Sequence, residues 1–434
     1  MTESKELKKT PWGYIPSHWK ISSIKEETAI VTDYVANGSF ASLAENVKYK
    51  SEKDYAVLIR LVDYNNQFKG DFVYIDKTAY EFLSKSKLFG DEIIISNVGA
   101  NVGTVFKCPH LEYKMSLAPN SIMVKFKGNN DFYYYWLQSR FGQHMLQSIV
   151  TGSAQPKFNK TNFRDMKIPV PPIDEQKIVG QILKSLDDKI ECNKRINDNL
   201  ENQAQALFKS WFVDFEPFKD GEFVESEMGM IPKEWKLGTL GELCTANKRT
   251  YNGKYENIIE YIDTGSVTNN NIESVQRLNP VTDKIPSRAR RAVMEGDIIY
   301  SSVRPNQRHY AFLYNPPTNM VVSTGFVVLT ANWSGYRYYI YQYLVRDEII
   351  DKLQAIAEQS TSTYPSINAS DVVNLKIVVP PDGILGEFAE VCHSLIAQID
   401  KNEQESRRLI QLRDTLLPRL MSGELKVNEI GTIK

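Results

Sequence analysis

The sequence predicts an α+β protein in which two mixed α/β domains stand in tandem, each followed by a long helix, with a pseudo-twofold internal repeat. Three observations carry the prediction. The stretch "KIPVPPIDEQ" (167–176) returns as "KIVVPPDGIL" (376–385). The segments ahead of each copy repeat in the same order, and a heptad-like run follows each copy.

The 434 residues suffice for two or three domains with their own cores. With 42% hydrophobic and 24% charged residues and no low-complexity block, the chain reads as an ordinary soluble protein. The charged start "MTESKELKKT" and the lack of any apolar run near ~20 residues point to the cytoplasm and away from a membrane. Cys108, Cys192, Cys244 and Cys392 stand far apart and read as free thiols, not as a zinc site or disulfide framework. A net charge of -1 carries no global nucleic-acid signature, so DNA binding would have to come from local basic patches.

Each half opens on an Ile-Pro-x-x-Trp-Lys element, in "WGYIPSHWK" (12–20) and "MGMIPKEWK" (228–236). "GDEIIIS" (90–96) then answers "GDIIYS" (296–301), a Gly-Asp turn running into a β-branched strand. The strands "SIMVKFK" and "GFVVLTA" follow. Next, "DFYYYWLQSRFGQHMLQSIV" and "YRYYIYQYLVRDEIIDKLQAIA" read as aromatic amphipathic helices. Polar loops come after them, "TGSAQPKFN" and "EQSTSTYPSIN". From Pro156 and Pro365 the register runs without a gap through Leu207 and Leu416. The expected boundaries are a first domain at 1–172, a helix at 173–213, a second domain at 214–381, a helix at 382–422 and a tail at 423–434.

Along the first helix, Val179, Leu183, Leu186, Ile190, Leu200, Ala204, Leu207 and Trp211 form a seam interrupted by Asn193 and Asn197. The second seam runs through Phe388, Cys392, Leu395, Ile399, Asn402, Ser406, Leu409, Arg413, Leu416 and Leu420. Asn193 and Asn402 hold the same slot. Polar seam residues cost stability but fix register and partner, so the two helices are expected to pack on each other. Asp174 is the expected cap, Glu175 suits the positive helix end, and Ile173 with Ile178 has staple spacing. The second start is looser because of Gly383 and Gly386. The proline-free stretch 175–212, 38 residues, spans ~57 Å as helix at ~1.5 Å per residue, which suits a spacer better than the cover of one domain.

This order, with its "IP..W" elements (Ile15, Pro16, Trp19; Ile231, Pro232, Trp235), its "GD.I..S" strands and "IPVPPIDEQKIV", resembles the specificity subunits of type I restriction-modification systems over essentially the whole chain. The resemblance implies two target recognition domains separated by a long antiparallel two-helix coiled coil, each domain reading half of a split, asymmetric sequence in double-stranded DNA. It also implies that the helices set the gap and recruit two methyltransferase subunits. Those subunits carry S-adenosylmethionine and methylate adenine, and a translocating nuclease subunit can join them. The chain itself is expected to bind no cofactor. Independently of the resemblance, ~57 Å corresponds to between one and two turns of B-DNA at roughly 34–36 Å per turn, and loops that differ between duplicated frameworks suit two different half-sites.

Reading DNA requires cations for phosphates and polar side chains for base edges. Residues 284–310 carry Lys284, Arg288, Arg290, Arg291, Arg304 and Arg308 against Glu295 and Asp297. Within them, "VRPNQRHY" sets Arg304, Asn306, Gln307 and Arg308 on a turn after a strand. The corresponding "SNVGANVG" has Asn97 and Asn101 but no arginine, so the first domain's candidates are Ser153, Gln155, Lys157, Asn159, Lys160 and Arg164 of "TGSAQPKFNKTNFR". Their counterparts in "QSTSTYPSIN" are Thr361, Ser362, Thr363 and Tyr364.

Catalytic readings fail on composition. "YNPPT" (314–318) has Thr318 where an amino-methyltransferase signature needs an aromatic residue to stack on the target base, and no Gly-rich cofactor loop follows a strand. The acids of "IDEQK" serve a helix start, no metal site is expected, and the five histidines are isolated. A non-catalytic subunit is expected. The competing reading is a DNA-independent coiled-coil scaffold joining two protein partners.

Overall fold

A computed structural model describes residues 7–253, 258–359 and 365–425. The chain forms two compact units, residues 1–191 with 406–434 and residues 192–405. The long helices are Ile173–Phe212 and Asp382–Met421, and each gives one of its halves to each unit.

In the first unit, strands Thr28–Asp33, Ser121–Phe126, Ile93–Ser96 and Val105–Lys107 form one antiparallel sheet in that spatial order. A second sheet runs Val73–Ile75, Ala56–Ile59, Lys114–Leu117 and Lys87–Leu88, its central pair parallel. The second unit has the same layout. Cys244–Ala246, Phe326–Ala331, Ile298–Ser301 and Tyr310–Phe312 make one sheet. Gln276–Leu278, Ile259–Ile262, Met320–Ser323 and Ala289–Ala292 make the other, again with a parallel central pair. Ile93, Ile94, Ile95, Ile298 and Ile299 are buried on both sheet faces, as continuous β-branched runs require.

The Gly-Asp turns align differently from the sequence expectation. Asp91 (φ 64°) matches Gly296 (φ 78°), because Asp91 N–H donates to Cys108 O just as Gly296 N–H donates to Leu313 O. The equivalent acids are therefore Glu92 and Asp297. Each accepts a main-chain N–H three residues back, from Phe89 at 3.1 Å and from Met294 at 2.9 Å.

Each expected aromatic helix is broken in two. Asn130–Gln138 gives way to Arg140–Ser148, and Tyr336–Leu344 to Asp347–Glu358. Ser139 takes extended φ/ψ and caps the second helix by accepting Gly142 N–H. A Cβ on Gly142 would stand 2.2 Å from Trp136 O, so only glycine fits the corner. The first helix of each pair supplies large core residues, among them Trp136 and Tyr133 in one unit and Tyr339 and Tyr341 in the other.

The helix start at 173 also departs from expectation. Asp174 lies in the first turn and is exposed, and Ile173 and Ile178 are exposed, so neither the cap nor the staple forms. Glu175 instead accepts from Trp19 Nε1 at 2.8 Å and lies 2.9 Å from His18, tying the "IP..W" element to the helix. At the other start, despite Gly383 and Gly386, helix begins at Asp382, which accepts from the Tyr336 hydroxyl at 2.9 Å. Leu385 and Phe388 anchor that helix in the core.

Along the seams Leu183, Asn193, Ile399, Asn402 and Leu416 are buried, whereas Leu186, Ile190, Leu200, Leu207, Leu395 and Leu409 are half-buried. Beside the half-buried Leu395, it is Ile396 that is buried. In the second unit Asn193 Nδ2 donates to Asn402 O (3.3 Å) and Glu405 Oε2 (2.8 Å), and Asn402 Nδ2 donates to Asn197 Oδ1 (2.8 Å). In the first unit Arg413 Nη1 donates to Asp187 Oδ1 at 2.8 Å, and the Tyr135 hydroxyl holds the other oxygen of that carboxylate. No helix among the described residues is long and apolar enough to cross a membrane.

Candidate nucleic-acid interface

In each unit the turn after a central strand is fixed by three main-chain hydrogen bonds, two of them to the proline loop that follows the broken helix pair. In the second unit Ser302 N–H donates to Gly325 O, Ile367 N–H to Ser302 O, and Arg304 N–H to Pro365 O. In the first unit Asn97 N–H donates to Asn120 O, Phe158 N–H to Asn97 O, and Gly99 N–H to Pro156 O. Isolated bridges Val303 with Ser366 and Val98 with Lys157 complete the match. Stretches far apart in sequence thus become one surface in each unit, and the side chains hung on it differ.

On the second surface Arg304, Asn306 and Gln307 are exposed around a short 3-10 turn, Pro305–Gln307. Arg304 (φ 48°) and Arg308 (φ 57°) flank it in the left-handed region. Arg308 is half-buried and pairs with Asp347 at 2.7 Å, which holds its guanidinium pKa above the ordinary value. Arg288 is exposed and close by, since its carbonyl accepts Thr324 N–H next to Gly325. Arg290, also exposed, donates to Ser287 O at 3.3 Å, while Arg291 is half-buried on the strand Ala289–Ala292 with Nε buried and unpartnered. Thr361, Ser362, Thr363 and Tyr364 lie outside the described residues.

On the first surface Ser153, Gln155 and Lys157 are exposed. Asn159, though exposed, caps the helix Lys160–Asp165 by accepting Asn162 N–H at 2.8 Å. Lys160 pairs with Asp33 at 2.8 Å and Arg164 donates to Val31 O at 2.7 Å. These last three side chains have structural partners in the unit's own sheet or helix. "SNVGANVG" is more than a turn, since Asn97 also ties the proline loop down through Nδ2 to Phe158 O at 3.1 Å, leaving Oδ1 buried and unpaired. "YNPPT" is a proline turn between Tyr310–Phe312 and Met320–Ser323, as read from sequence.

Exposed cations and amides on a junction fixed by main-chain bonds can meet phosphates and base edges. The family model described as Type I restriction modification DNA specificity domain matches twice, at residues 16–202 and 232–411. The chain belongs to this family. It is 26% identical over 443 residues to the type I restriction enzyme MjaIX specificity subunit of Methanocaldococcus jannaschii, covering 98% of each chain. It is 30% identical over 185 residues to the HindI specificity subunit of Haemophilus influenzae, covering 42% of this chain and 40% of that one. The crystal structure of the type I restriction-modification S subunit from M. genitalium superposes with a TM-score of 0.54 at 14% identity, covering 95% and 99%, and has the same fold. As a type I specificity subunit the chain is a non-catalytic, DNA-recognising component that assembles with other subunits. Family membership sets aside the DNA-independent scaffold.

Proposed function

We propose that the chain reads a bipartite, asymmetric DNA target, one half through each unit, and that its long helices form an antiparallel coiled coil that sets the gap. The observation that carries this reading is the junction built twice with the same three main-chain bonds and different exposed side chains. Opposed running directions of the helices are supported by the order of their contacts, Asn193 with Asn402 and Asn197 with Ile399 O. The helices dock two methyltransferase subunits, which carry S-adenosylmethionine and methylate adenine, and a translocating nuclease subunit joins that complex. This chain needs no cofactor for its part.

Methylome sequencing of cells carrying the complex tests the proposal. The expected motif has two specified blocks separated by a fixed unspecified gap, and a single contiguous block overturns it. Arg304→Ala should relax one block only, by about 1–3 kcal/mol of discrimination if a base contact is lost, with methyltransferase assembly retained. Equal relaxation of both blocks would count against one reader per unit.

A further inference from the structure

Each reading turn is held from behind by the second helix of its unit's broken pair, through side chains that are not among the candidate contacts read from the sequence. In the first unit, on helix Arg140–Ser148, Gln147 Nε2 donates to Val102 O at 3.3 Å and Gln143 Nε2 to Gly103 O at 3.1 Å. In the second unit, on helix Asp347–Glu358, Gln354 Oε1 accepts Asn306 N–H at 3.3 Å, while Asp347 holds the Arg308 guanidinium. Gln147 and Gln354 occupy the same place, each following a fully buried leucine, Leu146 or Leu353, that fixes the helix against the core.

The second turn needs such support most: Arg304 and Arg308 sit at positive φ, which in a non-glycine residue persists only where surrounding contacts over-determine it, whereas Gly99 and Gly103 reach φ 102° and 93° without strain. We infer that Gln147 and Gln354 are positioning residues for sequence discrimination, each setting the main chain of its own unit's reading turn without touching DNA. This inference rests on the turns being the DNA readers.

The donor and acceptor roles differ, and this separates positioning from general stability. Gln354 acts as an acceptor, so glutamate can replace it; Gln147 acts as a donor, so glutamate cannot. Gln354 also donates to Glu358 across one helical turn at 2.8 Å, so the substitution Gln354→Glu is paired with Glu358→Gln to avoid two facing carboxylates. The experiment measures methylation rates of the assembled complex on oligonucleotides carrying single base changes in either half-site.

Gln354→Ala is expected to lower discrimination roughly fivefold in one half-site and Gln147→Ala in the other, the size of one modest hydrogen bond. Gln354→Glu with Glu358→Gln should restore the parent value, and Gln147→Glu should not. Rescue by both glutamates, by neither, or loss spread over both half-sites overturns the inference. Arg304→Ala is run alongside. If it leaves discrimination intact, the reader assignment fails; if it acts as expected and the glutamines do not, only the positioning role fails.

Discussion

The two turns proposed to read DNA share a main-chain framework and differ at its centre. Where the first unit has Gly99 (φ 102°), the second has Arg304 (φ 48°), and both donate N–H to the carbonyl of the equivalent proline. Glycine reaches positive φ freely, while an arginine pays roughly 1–2 kcal/mol for it. On the proposed function, the side chain of Arg304 accounts for a strained arginine at a slot where the sister unit uses glycine. Because backbone bonds hold the junction, side chains on it can change without loss of the fold.

The largest expected effect breaks the comparison one strand earlier, at the equivalent acids. Asp297 is fully buried, pairs with Arg249 and accepts from the Thr330 hydroxyl at 2.7 Å. Glu92 is satisfied by the main-chain N–H groups of Phe89 and Gly90. Removing Asp297 strands a largely buried guanidinium, so Asp297→Ala should cost the second unit about 3–5 kcal/mol. Glu92→Ala leaves neutral amides unpaired and should cost the first unit about 1–3 kcal/mol. Hydrogen exchange resolved by peptide reads each unit separately, and equal losses would show that the guanidinium is not what distinguishes the two acids.

A smaller effect sharpens the comparison at the turn itself. Arg304→Gly gives the second turn the residue of the first. Main-chain strain should fall by about 1 kcal/mol, leaving thermal stability equal or higher, while discrimination at the second half-site drops. Loss of stability together with recognition would mean that the arginine holds the turn and does not read through it.

The strands after the Gly-Asp turns and both long helices were legible in the sequence because their signals are local: β-branched runs and a heptad seam. The second sheets were not, since their parallel central pairs join Ala56–Ile59 to Lys114–Leu117 and Ile259–Ile262 to Met320–Ser323 across long insertions. The break at Ser139 was hidden inside an unbroken amphipathic pattern, and only the spacing from Ser139 to Gly142 marked it. Among the candidate contacts, Lys160 and Arg164 look like free cations in sequence and are committed to Asp33 and Val31. The recurring Leu-Gln of 146–147 and 353–354 was the available signal for the turns' support.

The last contrast lies on the long helices. The repeat that matches Asn193 with Asn402 matches Glu201 with Ile410, yet Ile410 is exposed and both carboxyl oxygens of Glu201 are buried without a hydrogen-bond partner. Tyr341, Gln342 and Gln205 face that carboxyl without reaching hydrogen-bond geometry, and Tyr310 and Cys392 stand close enough to feel its charge. Burial raises its pKa above the ordinary glutamate value of 4.5. The folded unit therefore keeps a proton that the unfolded chain releases, so stability declines as pH rises from that ordinary value toward the folded one. Below it both states are protonated and Glu201 contributes no pH dependence. Glu201→Gln keeps the shape without the ionisation, so it should raise the melting temperature of the second unit at pH 7–8 and converge on the parent near pH 4. Parallel melting curves across that range would show that Glu201 is already ionised in the folded unit, and the contrast with Ile410 would then be one of size and not of charge.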